Sequence, residues 1–93
     1  MFVGVLVIEI LIQSSTSLKE KRFVIKSMKD RLRNKFNVAV AEIGFQDKWQ
    51  RAELGIATIS NEQSHLEHSL QKIFQYLDNS DSYEIISYEF TYV

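Results

Sequence analysis

Apolar and polar positions change period along the 93-residue chain, and each change marks an element. Residues 2–12, FVGVLVIEILI, are almost continuously apolar and rich in Val, Ile and Leu. A run that short and β-branched predicts a strand buried on both faces, hence a central one. The polar turn Gln13-Ser14-Ser15-Thr16 follows. Ser17-Leu18-Lys19-Glu20 then carries the S-x-x-E capping box, in which the serine hydroxyl accepts from the amide three residues on and the glutamate reaches back. A helix is predicted from about Leu18, with Leu18, Ile25, Met28, Leu32 and Phe36 as its core stripe.

Asn37 to about Phe45 alternates as a strand, and Arg51 to Ser60 does so again, joined as a hairpin with Asp47-Lys48 at its tip. Ser60-Asn61-Glu62-Gln63 is a second capping signal. Leu66, Leu70, Ile73, Phe74 and Leu77 form a second amphipathic stripe, which Asp78-Asn79-Ser80-Asp81 terminates. Tyr83 to Val93 is a last strand, rich in aromatic and β-branched residues.

The order βαββαβ, with right-handed crossovers, predicts an α+β ferredoxin-like sandwich. It is one domain over residues 1–93, with an antiparallel sheet in the order 4-1-3-2 and both helices on one face. The first helix starts, and the hairpin tip points, at the same end of the domain. Gln13 to Arg22, Phe45 to Arg51 and the turn at Asp78 to Ser82 are therefore expected to meet there, and a site, if present, to lie there.

On strand 1, Val3, Val5, Val7 and Leu11 share one face, and Phe2, Leu6, Ile8, Ile10 and Ile12 the other. The helices cover only one face, and strand 4 adds Ile86, Tyr88, Phe90 and Tyr92. An uncovered apolar sheet face predicts self-association, as a dimer. An RNA-recognition-motif type of sheet needs aromatics on its central strands, and ELGIATIS has none.

Composition adds limits. There is no cysteine, so disulfides and thiolate metal sites are excluded, and no proline, so no helix or strand is broken that way. Residues 1–12 lack a basic leader and a small-residue cleavage pattern, are too short for a membrane helix, and carry Glu9. The cytoplasm is the expected location.

Charge changes the picture most. The formal net charge is −1, yet residues 17–36 hold eight of the eleven Lys and Arg. Lys19, Arg22, Lys26, Lys29 and Arg33 are spaced 3, 4, 3 and 4. On a helix they fill an arc of roughly 80° beside the apolar stripe and extend over about 21 Å. Lys21, Arg31 and Lys35 fall on the other flank. Like charges at these spacings repel by a few tenths of a kcal/mol per pair, so the row implies a negative neighbour: acidic groups of the same domain, or a phosphate backbone. Ser15 and Ser17, at the helix start with Lys19 and Arg22, could seat a phosphate through hydroxyls and free amides. Phe23, between Lys19 and Lys26, is either a base-stacking platform or a packing contact.

At the hairpin tip, Asp47, Trp49, Gln50 and Arg51 offer a stacking surface, hydrogen bonds and the anchors common at interfaces, with Glu42 nearby. Trp49 folded back onto the sheet is the plainer alternative. SLKEKR, then KFNVAVAEI, then QDKWQRAELGIA, resemble the YlxP-like family of small bacterial proteins across nearly the whole chain. The family's characteristic positions correspond to Ser17, Leu18, Lys19, Lys21, Arg22, Glu42, Asp47, Trp49 and Gln50. The resemblance implies a ferredoxin-like fold and no established activity. Genes of the family often neighbour those for transcription and translation factors, which points toward RNA or ribosomes.

Nothing marks a catalytic set. Glu42 has no partner acid or nucleophile, and the loop at Gln13 to Ser17 has neither P-loop glycines nor the arginine an acylphosphatase-like reaction needs. His65 and His68, spaced i,i+3 near Glu62, could chelate, but no further ligand is indicated, and no metal or other cofactor is expected. The expectation is a non-enzymatic binding module for RNA or the ribosome, using the helix stripe and hairpin tip. The alternative is a homo-oligomeric regulatory or scaffold protein whose basic helix meets acidic surface of a neighbouring chain.

Overall fold

A computed structural model describes residues 1–93. The elements run β1 (Phe2–Leu11), α1 (Leu18–Lys35), β2 (Ala39–Gly44), β3 (Arg51–Ser60), α2 (Gln63–Leu77) and β4 (Glu84–Tyr92). The sheet order is β2-β3-β1-β4, all pairs antiparallel, so the fold is an α+β ferredoxin-like sandwich with β1 central.

Alternation along β1 decides the layering. Leu6, Ile8, Ile10 and Ile12 are fully buried beneath the helices, and Leu54 and Ile56 continue that layer on β3. From α1 come Ile25, Met28 and Leu32, and from α2 Leu66, Leu70, Ile73 and Leu77. Leu18, the first residue of the expected stripe, is only half-buried, because it lies in the opening turn at the domain's end. Gly4 is where α2 approaches β1 most closely: a methyl there would sit 2.7 Å from Leu70 Cδ1.

The two helix starts differ. At α1, Ser17 Oγ accepts from Glu20 N (3.1 Å), and Thr16 donates to Glu20 Oε2 through both its amide (2.5 Å) and its hydroxyl (2.8 Å). At α2 the N-cap is Glu62, without a side-chain cap bond, and Ser60 Oγ accepts from Glu62 N instead. The capping pattern read at Ser60 is thus a turn before the helix.

The face of β1 away from the helices carries Val3, Val5, Val7, Glu9 and Leu11. Opposite them on β3 stand Ile59, Ala57, Gly55, Glu53 and Arg51. The β4 aromatics do not belong to this face. Tyr88, Phe90 and Tyr92 pair with Ile8, Leu6 and Gly4, on the helix side, and Phe74 of α2 lies 4.4 Å from Tyr88 and 6.0 Å from Phe90 between ring centroids. Ile86 is the extra residue of a bulge opposite Glu9/Ile10. The open face is therefore less aromatic than strand 4 alone suggests: Val, Ala and Gly share it with Leu11, Ile59 and the charged Glu9, Glu53 and Arg51.

Candidate functional site

The end of the domain holding the β1–α1 loop also holds the β2–β3 hairpin tip, as the topology requires. Two side chains join them. Gln50 Nε2 donates to the carbonyls of Gln13 (3.1 Å) and Ser15 (3.2 Å). Lys21 is 1% exposed and donates to the carbonyls of Phe45 (2.8 Å), Arg51 (3.2 Å) and Gln46 (3.4 Å). Its Nζ also lies 3.0 Å from Glu42 Oε2. That oxygen is buried and accepts no hydrogen bond of regular geometry, so the ion pair is its compensation.

Lys21 does not lie on a basic flank of the helix. It sits among Ile25, Met28 and Leu32 in the buried arc. An ammonium there survives only with several oxygen partners, and a hairpin of inward-turned carbonyls supplies them. Phe45 adopts φ 58, a left-handed conformation that non-glycine residues rarely take. Lys21 holds its carbonyl from below, and the Arg51 guanidinium lies 4.6 Å above its ring.

Several residues expected to meet a ligand are engaged internally. Ser15 is buried, with Oγ donating to Ser17 O (3.0 Å), and Ser17 Oγ caps the helix. Neither is free to seat a phosphate. Glu42 belongs to Lys21, and Gln50 to the loop carbonyls. Arg51 pairs with Glu9 across the open face. Of the hairpin group, Asp47 and Trp49 remain outward. Trp49 is 56% exposed, and with Leu11, Lys48 and Arg51 it lines a shallow depression of about 410 Å³.

The cationic row on α1 runs alongside edge strand β2, where Arg33 Nη2 donates to Val40 O (3.3 Å). Lys26 forms an exposed pair with Asp30 (3.4 Å), worth little in water. Lys19, Arg22, Lys29 and Arg33 have no carboxylate within 4.0 Å. Phe23 is 77% exposed, so it packs under no neighbouring helix of its own chain. Beside it, Ser14, Lys19, Glu20 and Val24 outline an open groove of about 430 Å³.

Elsewhere, His65 and His68 are exposed, and no group of three His, Asp or Glu side chains is gathered to hold a metal ion. No helix is long and apolar enough to cross a membrane.

The Lys21–Glu42 clamp was missed in the sequence because a lysine between cations reads as one more surface charge. Its signal was positional: Lys21 is four residues before Ile25 and seven before Met28, within the apolar period.

A family model described as Protein of unknown function (DUF503) matches residues 3–90. Uncharacterized protein YlxP of Bacillus subtilis (strain 168) is 45% identical over 71 residues, covering 76% of this chain and 77% of that protein.

Proposed function

The chain belongs to the DUF503 family of proteins of unknown function, and we propose that this member is a non-enzymatic module that binds RNA, free or within the ribosome, along helix α1. One observation carries the reading: Lys19, Arg22, Lys29 and Arg33 form a row on one helix with no intramolecular carboxylate to neutralise them. A row of uncompensated cations is matched by a phosphate backbone, which supplies affinity without sequence choice. Phe23, exposed beside Lys19, is available to stack on an unpaired base, and Trp49 at the hairpin tip offers a second exposed aromatic. With Ser17 committed to the cap and Ser15 to the Ser17 carbonyl, the contact rests on side-chain cations and not on an amide cradle.

Titration with single-stranded RNA oligomers over a salt series tests this. If four phosphates are contacted, log K falls against log salt with a slope of about −3. Lys19→Glu with Arg22→Glu should abolish binding while the helix survives, since acidic residues suit its first turn. Unchanged binding by that variant, or no binding by the parent at low salt, refutes the reading.

A second reading is a homo-oligomeric scaffold in which α1 meets acidic surface of a neighbour. Glu53, Glu84 and Glu89, with no cation within 4.0 Å, favour it. Association lost at high salt, without any RNA affinity, would mark this case.

A further inference from the structure

The two edges of the sheet are treated very differently. β2 is six residues long, bulged between Glu42 and Gly44, and flanked by the cations of α1, with Arg33 reaching over to the Val40 carbonyl. Short length, a bulge and nearby positive charge are the usual guards against strand addition. β4 is nine residues, EIISYEFTY, with no Lys, Arg or Pro, and is bulged only at Ile86. Such an edge invites another strand.

Its outward groups can be assigned. Val3 and Val93 exchange both backbone hydrogen bonds (3.0 and 2.7 Å). Antiparallel alternation then makes Val5–Thr91, Val7–Glu89 and Glu9–Ser87 the other bonded pairs. Tyr88, Phe90 and Tyr92 must therefore turn their N–H and C=O groups outward. Their side chains stand on the helix side, where α2 packs on β1 and β3 and stops short of β4. From α2, Phe74 packs against Tyr88 and Phe90, yet Tyr88 stays 57% exposed.

We propose that two copies of this chain pair through β4, antiparallel, about a two-fold axis at Phe90 and perpendicular to the sheet. The register uses the unbulged stretch from Ser87 to Tyr92. Tyr88 faces Tyr92 of the partner subunit, and Phe90 faces Phe90 of the partner subunit. Outward N–H and C=O groups meet their complements, and the aromatic row becomes continuous above the joined sheet. Glu89 stands opposite Thr91 of the partner subunit, so no like charges oppose one another across the seam. The open sheet face offers no such row of matching backbone groups, and it carries Glu53, Glu84 and Glu89 with no cation within 4.0 Å. The edge dimer is closed and isologous, and it keeps both α1 rows on one face at the far ends of the doubled sheet. It does not depend on RNA binding.

Sedimentation of the full chain over a concentration series is the test, with the double variant Tyr88→Lys/Tyr92→Lys beside it and circular dichroism to confirm folding. The parent should sediment as two copies of 10.9 kDa and the folded variant as one. A second measurement needs no disruption: Phe90→Cys, in a chain otherwise free of cysteine, should form a disulfide-linked dimer on mild oxidation, and Ala57→Cys on the open face should not. A monomeric parent, a dimer untouched by the lysines, or cross-linking through Ala57→Cys alone overturns the proposal.

Discussion

The Nζ of Lys21 lies 3.0 Å from Glu42 Oε2, so a cation of α1 is buried against a carboxylate on edge strand β2. Removing one member leaves the other stranded. Lys21→Met deprives Glu42 and three hairpin carbonyls of their donor together, and a loss of ~3–5 kcal/mol in urea unfolding is expected. For a domain with a total of ~5–15 kcal/mol, that brings it near the threshold of folding. Pairing Lys21→Met with Glu42→Leu should recover part of the loss. A double variant as weak as the single would show that the hairpin carbonyls, and not the stranded carboxylate, set the cost.

Ser17 caps α1 through the Glu20 amide, and Glu20 returns to Thr16. Ser17→Ala should lower stability by about 1 kcal/mol. The hydrogen bonds from the Thr16 amide and hydroxyl hold the Glu20 carboxyl below its ordinary range. A depressed acid stabilises above its unfolded pKa of 4.5 and loses that contribution as pH falls through the folded value. The acid limb of an unfolding-versus-pH curve should flatten slightly in Glu20→Gln.

Tyr83 is buried, and its hydroxyl donates to Leu77 O at 2.6 Å. Burial pushes this phenol up to about 12, against a smaller opposing pull from Arg31. A raised pKa means that the neutral form is favoured by folding. Its contribution is complete below pH 10 and is lost as pH climbs toward 12. Tyr83→Phe should cost about 1 kcal/mol at neutral pH and flatten the alkaline limb, which melts followed from pH 9 upward would reveal.

Gly4 faces Leu66 and Leu70 at a distance that leaves no room for a methyl. Gly4→Ala should overpack this crossing and cost ~1–3 kcal/mol. A neutral effect in thermal unfolding would mean that α2 slides along β1 without penalty.

The framework was legible in the sequence wherever periodicity and burial agree. The unbroken apolar run of β1, the Ile25–Met28–Leu32 spacing and the S-x-x-E cap each match an observed element. Ser60 misled because a hydroxyl that suits a helix cap also suits a two-residue turn. The β4 aromatics were placed by proximity along the chain, and only pairing with Leu6 and Ile8 reveals their side of the sheet. The site was harder still. Charge type at Lys19, Arg22 and Lys29 is visible in letters, whereas the commitment of Gln50 and Glu42 to internal partners depends on long-range closure of the hairpin onto the loop and helix.

Central strand β1 takes both neighbours from later in the chain: β3 starts at residue 51 and β4 at residue 84. During translation its apolar residues emerge first, yet their second flank closes only when β4 clears the exit tunnel. A nascent chain stalled before that point exposes a half-paired hydrophobic ribbon. Chaperone capture and aggregation of such a chain should therefore be greatest before β4 is available to pair.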